Sequence, residues 1–417
     1  MRYLHIFLLF IIADLYSFAL YAQEKMLILT PSCFSDMVDT YIQSKPEMIC
    51  TTLVCDTMES TQIKLRIDSL SHYFSADYLL IIGDHELIPS FPVQDGLSDI
   101  YYTCDSNAHT NIPVGRLPIQ TAKELNNIIY KNSSTVISET ITIASAERSA
   151  LTDKYDWERM RDISAVLSQK NIRTIGEYFD GSREGLDAAG NPAAYDIITA
   201  VNQGVDLVLY AGHGDYSGWN TGMLTQNQLQ HLNNTRYPIV IAAACNNGHF
   251  AGRTCMAETW LNSEYGAKAA IMSSALCDWD ANLEALVYIC NKLPAQSTLG
   301  KLWLKMYQYT TDSLHRHTEA QTWLLFGDPS MPITLPDKNG IKQMADDAIC
   351  LYPNPADEKI FLHCDTIPSS ILIYNHIGAV IQHITPADTH IEIDISSWAS
   401  GCYIVKIDEK IARFCKQ

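Results

Sequence analysis

Two polar side chains with complementary chemistry follow apolar stretches of the sequence. His213 lies between Gly212 and Gly214, and Cys245 follows a run of alanines. A cysteine acts as a nucleophile in its thiolate form, and a nearby imidazole can favour that form and supply a proton to a leaving amine. The backbone amides of Gly214 and Cys245 could stabilise an oxyanion. These groups predict acyl transfer, with Cys245 as the nucleophile and His213 as its partner.

The stretches that precede these two residues, 207–211 and 239–244, are typical of buried strands. In open parallel sheets, sites form at the carboxyl ends of the strands. If the two strands are neighbours, the thiol and the imidazole face each other. The residues alone leave two alternatives open. One is a hydrogen-bonded histidine with an unrelated core cysteine, and the other is metal binding, for which further ligands at zinc-site spacing are lacking.

From residue 26 to about residue 333, short apolar runs alternate with longer amphipathic ones. Strands are predicted at residues 26–29, 78–82, 141–144, 205–210, 239–243 and 269–272. Helices are predicted at residues 121–131, 157–170 and 256–265. The pattern predicts an α/β fold, a mostly parallel sheet sandwiched by helices.

The pattern of apolar and polar residues changes in the last part of the chain. Short alternating runs occur at residues 359–362, 370–374, 390–395 and 403–407. They predict a small all-β sandwich over residues 348–417, joined by a polar linker at 336–347. The preceding domain then spans residues 23–335, with two α/β subdomains (23–135 and 136–335) as an option.

Composition and the N-terminus restrict the class of protein. The 417 residues carry a formal net charge of -18, which disfavours a nucleic-acid partner. A basic residue, an apolar run and small residues predict a signal peptide over residues 1–22 and export across the inner membrane. No other segment is predicted to span a bilayer. The 12 cysteines are scattered, so neither a disulfide framework nor a metal site is predicted.

Several blocks of the sequence resemble the gingipain family of cysteine peptidases, relatives of caspases and legumains. The blocks occur in the family's order as LIIGDH (80–85), VGR (114–116), IASAE (143–147), AGHG (211–214), ACNNG (244–248), CMAE (255–258) and FGDPS (326–330). The resemblance covers about residues 26–333. It implies a caspase-like fold and an endopeptidase that cleaves protein or peptide substrates through a thioester on Cys245. A catalytically silent surface binding protein with the same fold is the competing hypothesis.

The resemblance also implies roles for further residues. Glu147 matches the acid that orients the histidine, and Trp279 matches an aromatic wall of the substrate pocket. Asp156 matches an acid that receives a basic side chain, with Asp153 as a nearby competitor, so cleavage after Arg or Lys is implied. No cofactor is expected for catalysis. Structural calcium is possible by the resemblance, with ligands unspecified.

The C-terminal segment resembles the type IX secretion sorting domain of Bacteroidetes. The similar blocks are LYPNPA (351–356), ILIYN (371–375) with Gly378, and GCYIVK (401–406). The resemblance implies recognition by an outer-membrane translocon and a sortase, with delivery to the cell surface or the medium. An immunoglobulin-like spacer or a carbohydrate-binding domain is the alternative.

Overall fold

The structure is a computed structural model that describes residues 23–105, 109–132, 135–181, 191–293, 296–336, 350–352, 356–363, 367–375, 379–408 and 410–416. The chain forms two compact units, Met1–Pro336 and Asp337–Gln417. Each is described by itself. The predicted signal peptide and most of the predicted linker lie outside the described residues.

The first unit contains strands and helices in alternation. Its strands are β1 (Lys25–Thr30), β2 (Ile49–Val54), β3 (Tyr78–Ile82), β4 (Phe91–Val93), β5 (Gly96–Ser98), β6 (Val114–Leu117), β7 (Thr135–Val136), β8 (Glu139–Ala144), β9 (Arg173–Phe179), β10 (Leu207–Ala211), β11 (Gly214–Asp215), β12 (Gly218–Trp219), β13 (Ile239–Ala243), β14 (Ala269–Ser273), β15 (Gln296–Thr298), β16 (Trp323–Phe326) and β17 (Pro332–Thr334). Its helices are α1 (Ser35–Gln43), α2 (Ser60–Ser71), α3 (Ala122–Lys131), α4 (Asp156–Ser168), α5 (Ala194–Gln203), α6 (Gln226–Leu229), α7 (Met256–Asn262), α8 (Trp279–Lys292), α9 (Leu299–Asp312) and α10 (His317–Thr322).

A sheet of 10 strands runs through this unit in the order β2-β1-β3-β6-β16-β14-β13-β10-β8-β9. All neighbouring strands are parallel except β14 and β16, which are antiparallel. The sheet therefore consists of two parallel halves that run in opposite directions. One half consists of β1, β2, β3, β6 and β16, and the other consists of β8, β9, β10, β13 and β14.

Helices cover both faces of this sheet, which explains why β3, β10 and β13 are apolar throughout. One hydrophobic cluster contains buried side chains from α2, α4, α8 and α9, and a second contains side chains from α1, α3, α5 and α7. Successive residues of β10 alternate between the two clusters, as the pleat of a strand requires. The predicted α/β fold, a mostly parallel sheet sandwiched by helices, is confirmed.

Helix α7 ends at Asn262, earlier than the predicted end at residue 265. The backbone turns because Gly266 has a φ of 110°, and a Cβ there would lie 2.5 Å from the carbonyl oxygen of Trp260. Lys131 Nζ donates hydrogen bonds to the carbonyl oxygens of Leu261 and Ser263 and so satisfies the last turn. Tertiary contacts thus end a helix that apolar spacing alone would extend.

The second unit is an all-β sandwich, as predicted. Its strands are β18 (Cys350–Tyr352), β19 (Lys359–His363), β20 (Ile371–Tyr374), β21 (Val380–Ile384), β22 (His390–Asp394), β23 (Gly401–Ile407) and β24 (Lys410–Lys416). They form two antiparallel sheets, β18-β19-β22 and β21-β20-β23-β24, which share one hydrophobic cluster. The Pro353-Asn354-Pro355 turn and Gly378 lie outside the described residues.

In the described part of the chain, no helix is long and apolar enough to cross a membrane. Nor does any group of three or more His, Cys, Asp or Glu residues among those described form a place where a metal ion could be held. The structural calcium implied by the sequence resemblance stays a prediction.

Candidate active site

The candidate site forms where three neighbouring strands end. Strand β10 pairs with β8 on one side and with β13 on the other, and the last residues of all three are in register. Glu147, His213 and Cys245 lie in the segments that follow these strands. Because the strands are parallel, all three segments emerge at one edge of the sheet. The strand-end residues singled out in the sequence are therefore brought to a common place.

The imidazole of His213 lies between the predicted acid and the predicted pocket aromatic. Its Nε2 is 3.6 Å from Oε1 of Glu147, an ion-pair distance longer than a hydrogen bond. The two side chains are 53% and 58% exposed, so solvent weakens this attraction. The indole ring of Trp279 lies against the imidazole, with ring centroids 4.5 Å apart. Catalytic hydrogen bonds of this kind commonly shorten when substrate binds.

Cys245 begins a sharp turn that is tied to the segment after β14. The amide of Asn246 donates to the carbonyl oxygen of Ala275 at 2.9 Å, and that of Gly248 donates to Ser273 at 2.7 Å. Asn246 has a φ of 55°, in the left-handed region that asparagine tolerates better than most residues. The turn leaves the Cys245 side chain partly exposed at the end of its strand.

The thiol of Cys245 is acidic for a cysteine. Hydrogen bonding from the Cys277 thiol is the largest contribution that lowers the pKa of Cys245 to about 6, helped by the Cys277 amide and by His213 and opposed by burial. The thiolate therefore predominates at neutral pH. Cys277 was not singled out in the sequence. Its position just after β14, the strand next to β13, was the available signal.

Asn247 is a buried residue that sequence reasoning also missed. Its Oδ1 accepts from Trp219 Nε1 at 2.7 Å, and its Nδ2 donates to the carbonyl oxygens of Asp215 and Gly218 at 2.5 and 3.3 Å. The side chain therefore joins the loop after Cys245 to the β11–β12 hairpin after His213. Its position two residues after Cys245, the predicted nucleophile, was the signal that could have identified it.

Close packing of neighbouring side chains explains the two glycines beside the histidine. A Cβ on Gly212 would lie 2.6 Å from Tyr210 Oη. A Cβ on Gly214 would lie 2.9 Å from Nδ2 of Asn247 and 3.2 Å from Cβ of Ala244. A side chain at Gly214 would push apart the segments that hold the imidazole and the thiol, and one at Gly212 would collide with Tyr210.

A buried carboxylate lies beside the thiol. Asp156 begins α4 and is fully buried, and it accepts hydrogen bonds from Ser145 Oγ at 2.6 Å and from Trp279 Nε1 at 3.1 Å. Burial raises the pKa of Asp156 to about 6, although both hydrogen bonds oppose this shift. Asp156, Trp279 and Cys245 all line one narrow cavity of about 10 Å³. The structure thus brings the predicted pocket acid and pocket aromatic together at the cavity that Cys245, the predicted nucleophile, also lines.

The competing acid, Asp153, has a different environment. Its side chain is 83% exposed and forms an ion pair with Arg148 at 2.9 Å. It is not among the residues that line the cavity beside Cys245. The geometry therefore favours Asp156 over Asp153 as a pocket acid.

Replacing Asn247 with alanine is expected to lower the free energy of unfolding by about 2–4 kcal/mol, because it leaves the buried Trp219 indole and two carbonyl groups without their partner. Urea unfolding followed by fluorescence measures the change. The exposed Asn233 is the matched control, and Asn233→Ala should alter stability little. Equal stability of the Asn247→Ala variant and the wild-type chain would contradict the structural role given to Asn247.

Comparison with known proteins bears on both units. Residues 20–334 match the model of Peptidase family C25, and residues 350–417 match that of the Secretion system C-terminal sorting domain. Gingipain R2 of Porphyromonas gingivalis is 26% identical over 285 residues, which cover 61% of this chain and 37% of that protein. For Gingipain R1 of the same species the identity is again 26% over 285 residues, covering 61% and 28%. This chain therefore spans well under two thirds of either relative.

Solved structures agree on the fold. A crystal structure of the Arg-specific cysteine proteinase gingipain R has a TM-score of 0.68 at 17% identity, covering 95% of this chain and 98% of that one. A complex of pro- and mature domains from Porphyromonas gingivalis has a TM-score of 0.66 at 18% identity, covering 94% and 99%. At these identities the likeness concerns the fold alone.

The two family matches assign the two units separately. The C-terminal match means that the protein is exported by type IX secretion, to the cell surface or into the medium. The match over residues 20–334 spans most of the 417 residues. The chain belongs to Peptidase family C25, the gingipain family of cysteine peptidases.

Proposed function

We propose that this chain is an exported cysteine endopeptidase in which Cys245 is the nucleophile, His213 its general acid and base, and Glu147 the residue that orients the imidazole. The observation that carries the proposal is the meeting of these three side chains at the ends of β8, β10 and β13. The lowered pKa of Cys245 supports it, since the thiolate is the reactive form.

The geometry suits acyl transfer in two steps. The Cys245 thiolate attacks the carbonyl carbon of the peptide bond, and the amides of Gly214 and Cys245 stabilise the oxyanion. Nε2 of His213 faces Glu147, which leaves Nδ1 for proton exchange at the reacting centre. His213 protonates the leaving amine, and a thioester forms on Cys245. Water, deprotonated by His213, then hydrolyses the thioester and releases the thiolate.

The buried carboxylate of Asp156 supports a preference for Arg or Lys at the residue that precedes the cut. A basic side chain that entered the cavity would pair with a carboxylate already shielded from water, which strengthens the attraction. The cavity of about 10 Å³ has no room for such a side chain while Trp279 donates to Asp156. Because Trp279 Nε1 donates to Asp156, we expect the indole to give up this hydrogen bond when a basic side chain pairs with the carboxylate.

An acyloxymethyl ketone with an Arg or Lys side chain tests the proposal directly, because it alkylates a thiolate only when the adjoining pocket positions it. Purified wild-type protein should be labelled on Cys245 and should hydrolyse fluorogenic peptides with a basic residue before the cut. If the folded protein is not labelled at Cys245 and hydrolyses none of the fluorogenic peptides, it is instead a silent surface binding protein.

Deletion of residues 348–417 is expected to leave a folded, probe-reactive protein that accumulates in the periplasm. Both hydrophobic clusters of the first unit consist of residues from Leu27 or Met26 to Ile333, so its core stays intact. The deletion removes the sorting domain, which we propose is recognised by the type IX translocon and sortase. Fractionation and immunoblotting measure the location. Full-length Cys245→Ala is the control and should reach the surface, whereas surface delivery of the truncated chain at normal levels would contradict the sorting role.

A further inference from the structure

A second thiol lies against the thiol of Cys245. Cys277 belongs to the loop between β14 and α8, and its Sγ is 3.5 Å from the carbonyl oxygen of Ala244. Cys277 thus approaches the residue that precedes Cys245, and the side chains of Cys277 and Cys245 line the same narrow cavity. The hydrogen bond of 2.9 Å from Asn246 to Ala275 holds the two loops together. Backbone geometry therefore keeps the two loops that carry these thiols next to each other.

The two thiols differ in the way that stepwise disulfide formation requires. The hydrogen bond from Cys277 lowers the pKa of Cys245 to about 6, and the same contact, together with burial, raises the pKa of Cys277 well above its ordinary value. Cys245 is thus the thiolate that reacts first with an oxidant, and Cys277 is the neighbouring thiol that can resolve the product. By contrast, burial raises the pKa of Cys255 and Cys290, which makes them poor competitors.

We propose that Cys245 and Cys277 form a reversible disulfide that switches the peptidase off when a hydroperoxide is present. In the first step the Cys245 thiolate attacks the peroxide oxygen, the O–O bond breaks, and Cys245 becomes a sulfenic acid while the leaving oxygen takes up a proton. In the second step the Cys277 sulfur attacks the Cys245 sulfur and loses its proton, and the sulfenic oxygen leaves as water. With hydrogen peroxide, two thiols and one peroxide give one disulfide and two waters.

This bond would block catalysis and also preserve the nucleophile. A disulfide removes the thiolate from Cys245, and it prevents further oxidation to the sulfinic acid, which thiols do not reverse. A dithiol such as dithiothreitol restores both thiols by exchange through a mixed disulfide. Export to the cell surface or the medium places the site where disulfides persist. Loss of activity rests on the proposed function, whereas formation of the bond does not.

The test is peptide mapping of the full-length protein after reduction, removal of the reductant and titration with hydrogen peroxide. Before oxidation, the tryptic peptides that contain Cys245 and Cys277 should be found separately. After oxidation, they should be found linked, with a mass two hydrogens below the sum of the two peptides. Fragmentation should place the bond between Cys245 and Cys277. Cys290 lies on the same tryptic peptide as Cys277, so Cys290→Ala is the matched control and should retain the link. Dithiothreitol should restore the initial peptidase rate of oxidised wild-type protein.

The variant Cys277→Ser tests whether the disulfide protects Cys245 from irreversible oxidation, separately from whether oxidation stops the peptidase. Under the same titration its Cys245 should proceed to sulfinic acid, and dithiothreitol should fail to restore its own initial rate. The proposal is overturned if wild-type Cys245 goes to sulfinic acid without a linked peptide, or if the link joins Cys245 to a different cysteine. A link to Cys277 in a protein that never hydrolyses peptides would instead overturn the proposed function and leave the disulfide standing.

Discussion

Replacement of Cys245 with alanine is expected to reduce kcat/KM for every peptide substrate at least about a thousand-fold and to abolish labelling by the acyloxymethyl ketone. In the proposed mechanism the Cys245 thiolate forms the thioester. The one other described thiol that lines the cavity is that of Cys277, whose pKa is raised. Fluorogenic peptides measure the first effect, and intact-protein mass measures the second. Circular dichroism establishes that the variant is folded.

The pH dependence of alkylation sharpens this test. Because the pKa of Cys245 is lowered to about 6, its reaction with iodoacetamide should stay fast at pH 7 and slow as the pH falls through about 6. The exposed Cys33 provides the control, since Cys33→Ala should change neither hydrolysis nor the pH profile of Cys245. Hydrolysis at the wild-type rate by Cys245→Ala would exclude Cys245 as the nucleophile.

Strands could be predicted where burial on both faces produces a continuous apolar run. Tyr78–Ile82 and Ile239–Ala243 have the predicted bounds for this reason. Trp323–Phe326 was not predicted, although it joins the two halves of the sheet. It follows directly on His317–Thr322, so no turn residue separates helix from strand. Its pairing with Ala269–Ser273 is a long-range contact that local patterns do not contain.

The site could be anticipated only as far as the strand-end rule extends. That rule predicts that His213 and Cys245 emerge together, and their roles stay predictions until the variants are assayed. The contacts of Asn247 and Cys277 depend on which loops meet in space. The Asn247 contact joins the turn after β13 to the hairpin after β10. The Cys277 contact joins the same turn to the loop after β14. Neither contact follows from the spacing of residue types along the chain.

Replacement of Asp156 with alanine is expected to lower kcat/KM for substrates with Arg or Lys before the cut. The expected decrease corresponds to a loss of about 2–5 kcal/mol of transition-state stabilisation. The wild-type carboxylate is buried beside Cys245, so a bound cation would face a strong and poorly screened partner. Without the carboxylate, the same cation would be desolvated with no compensation. Labelling of Cys245 by iodoacetamide, which needs no pocket, should persist and shows that the nucleophile is intact.

Asp153→Ala is the matched control. It removes a carboxylate that lies just before α4, is exposed and forms an ion pair with Arg148. It should leave the preference for basic substrates unchanged. Asp156→Asn refines the test, since it removes the charge and nearly preserves the shape. With the pKa of Asp156 near 6, the wild-type preference for basic over neutral substrates should decline as the pH falls through about 6.

The ratio of kcat/KM for a basic and a neutral peptide is the quantity to follow across pH. Titration of Cys245 affects both substrates and cancels in this ratio, whereas titration of Asp156 affects only the basic one. In Asp156→Asn the ratio should be low at every pH from 5 to about 8, because no carboxylate ionises in the pocket. If the basic preference survives in Asp156→Asn, or if the wild-type protein cleaves after Asp or Asn, another residue determines specificity. The proposed role of Cys245 would be unaffected, since it does not depend on which residue forms the pocket acid.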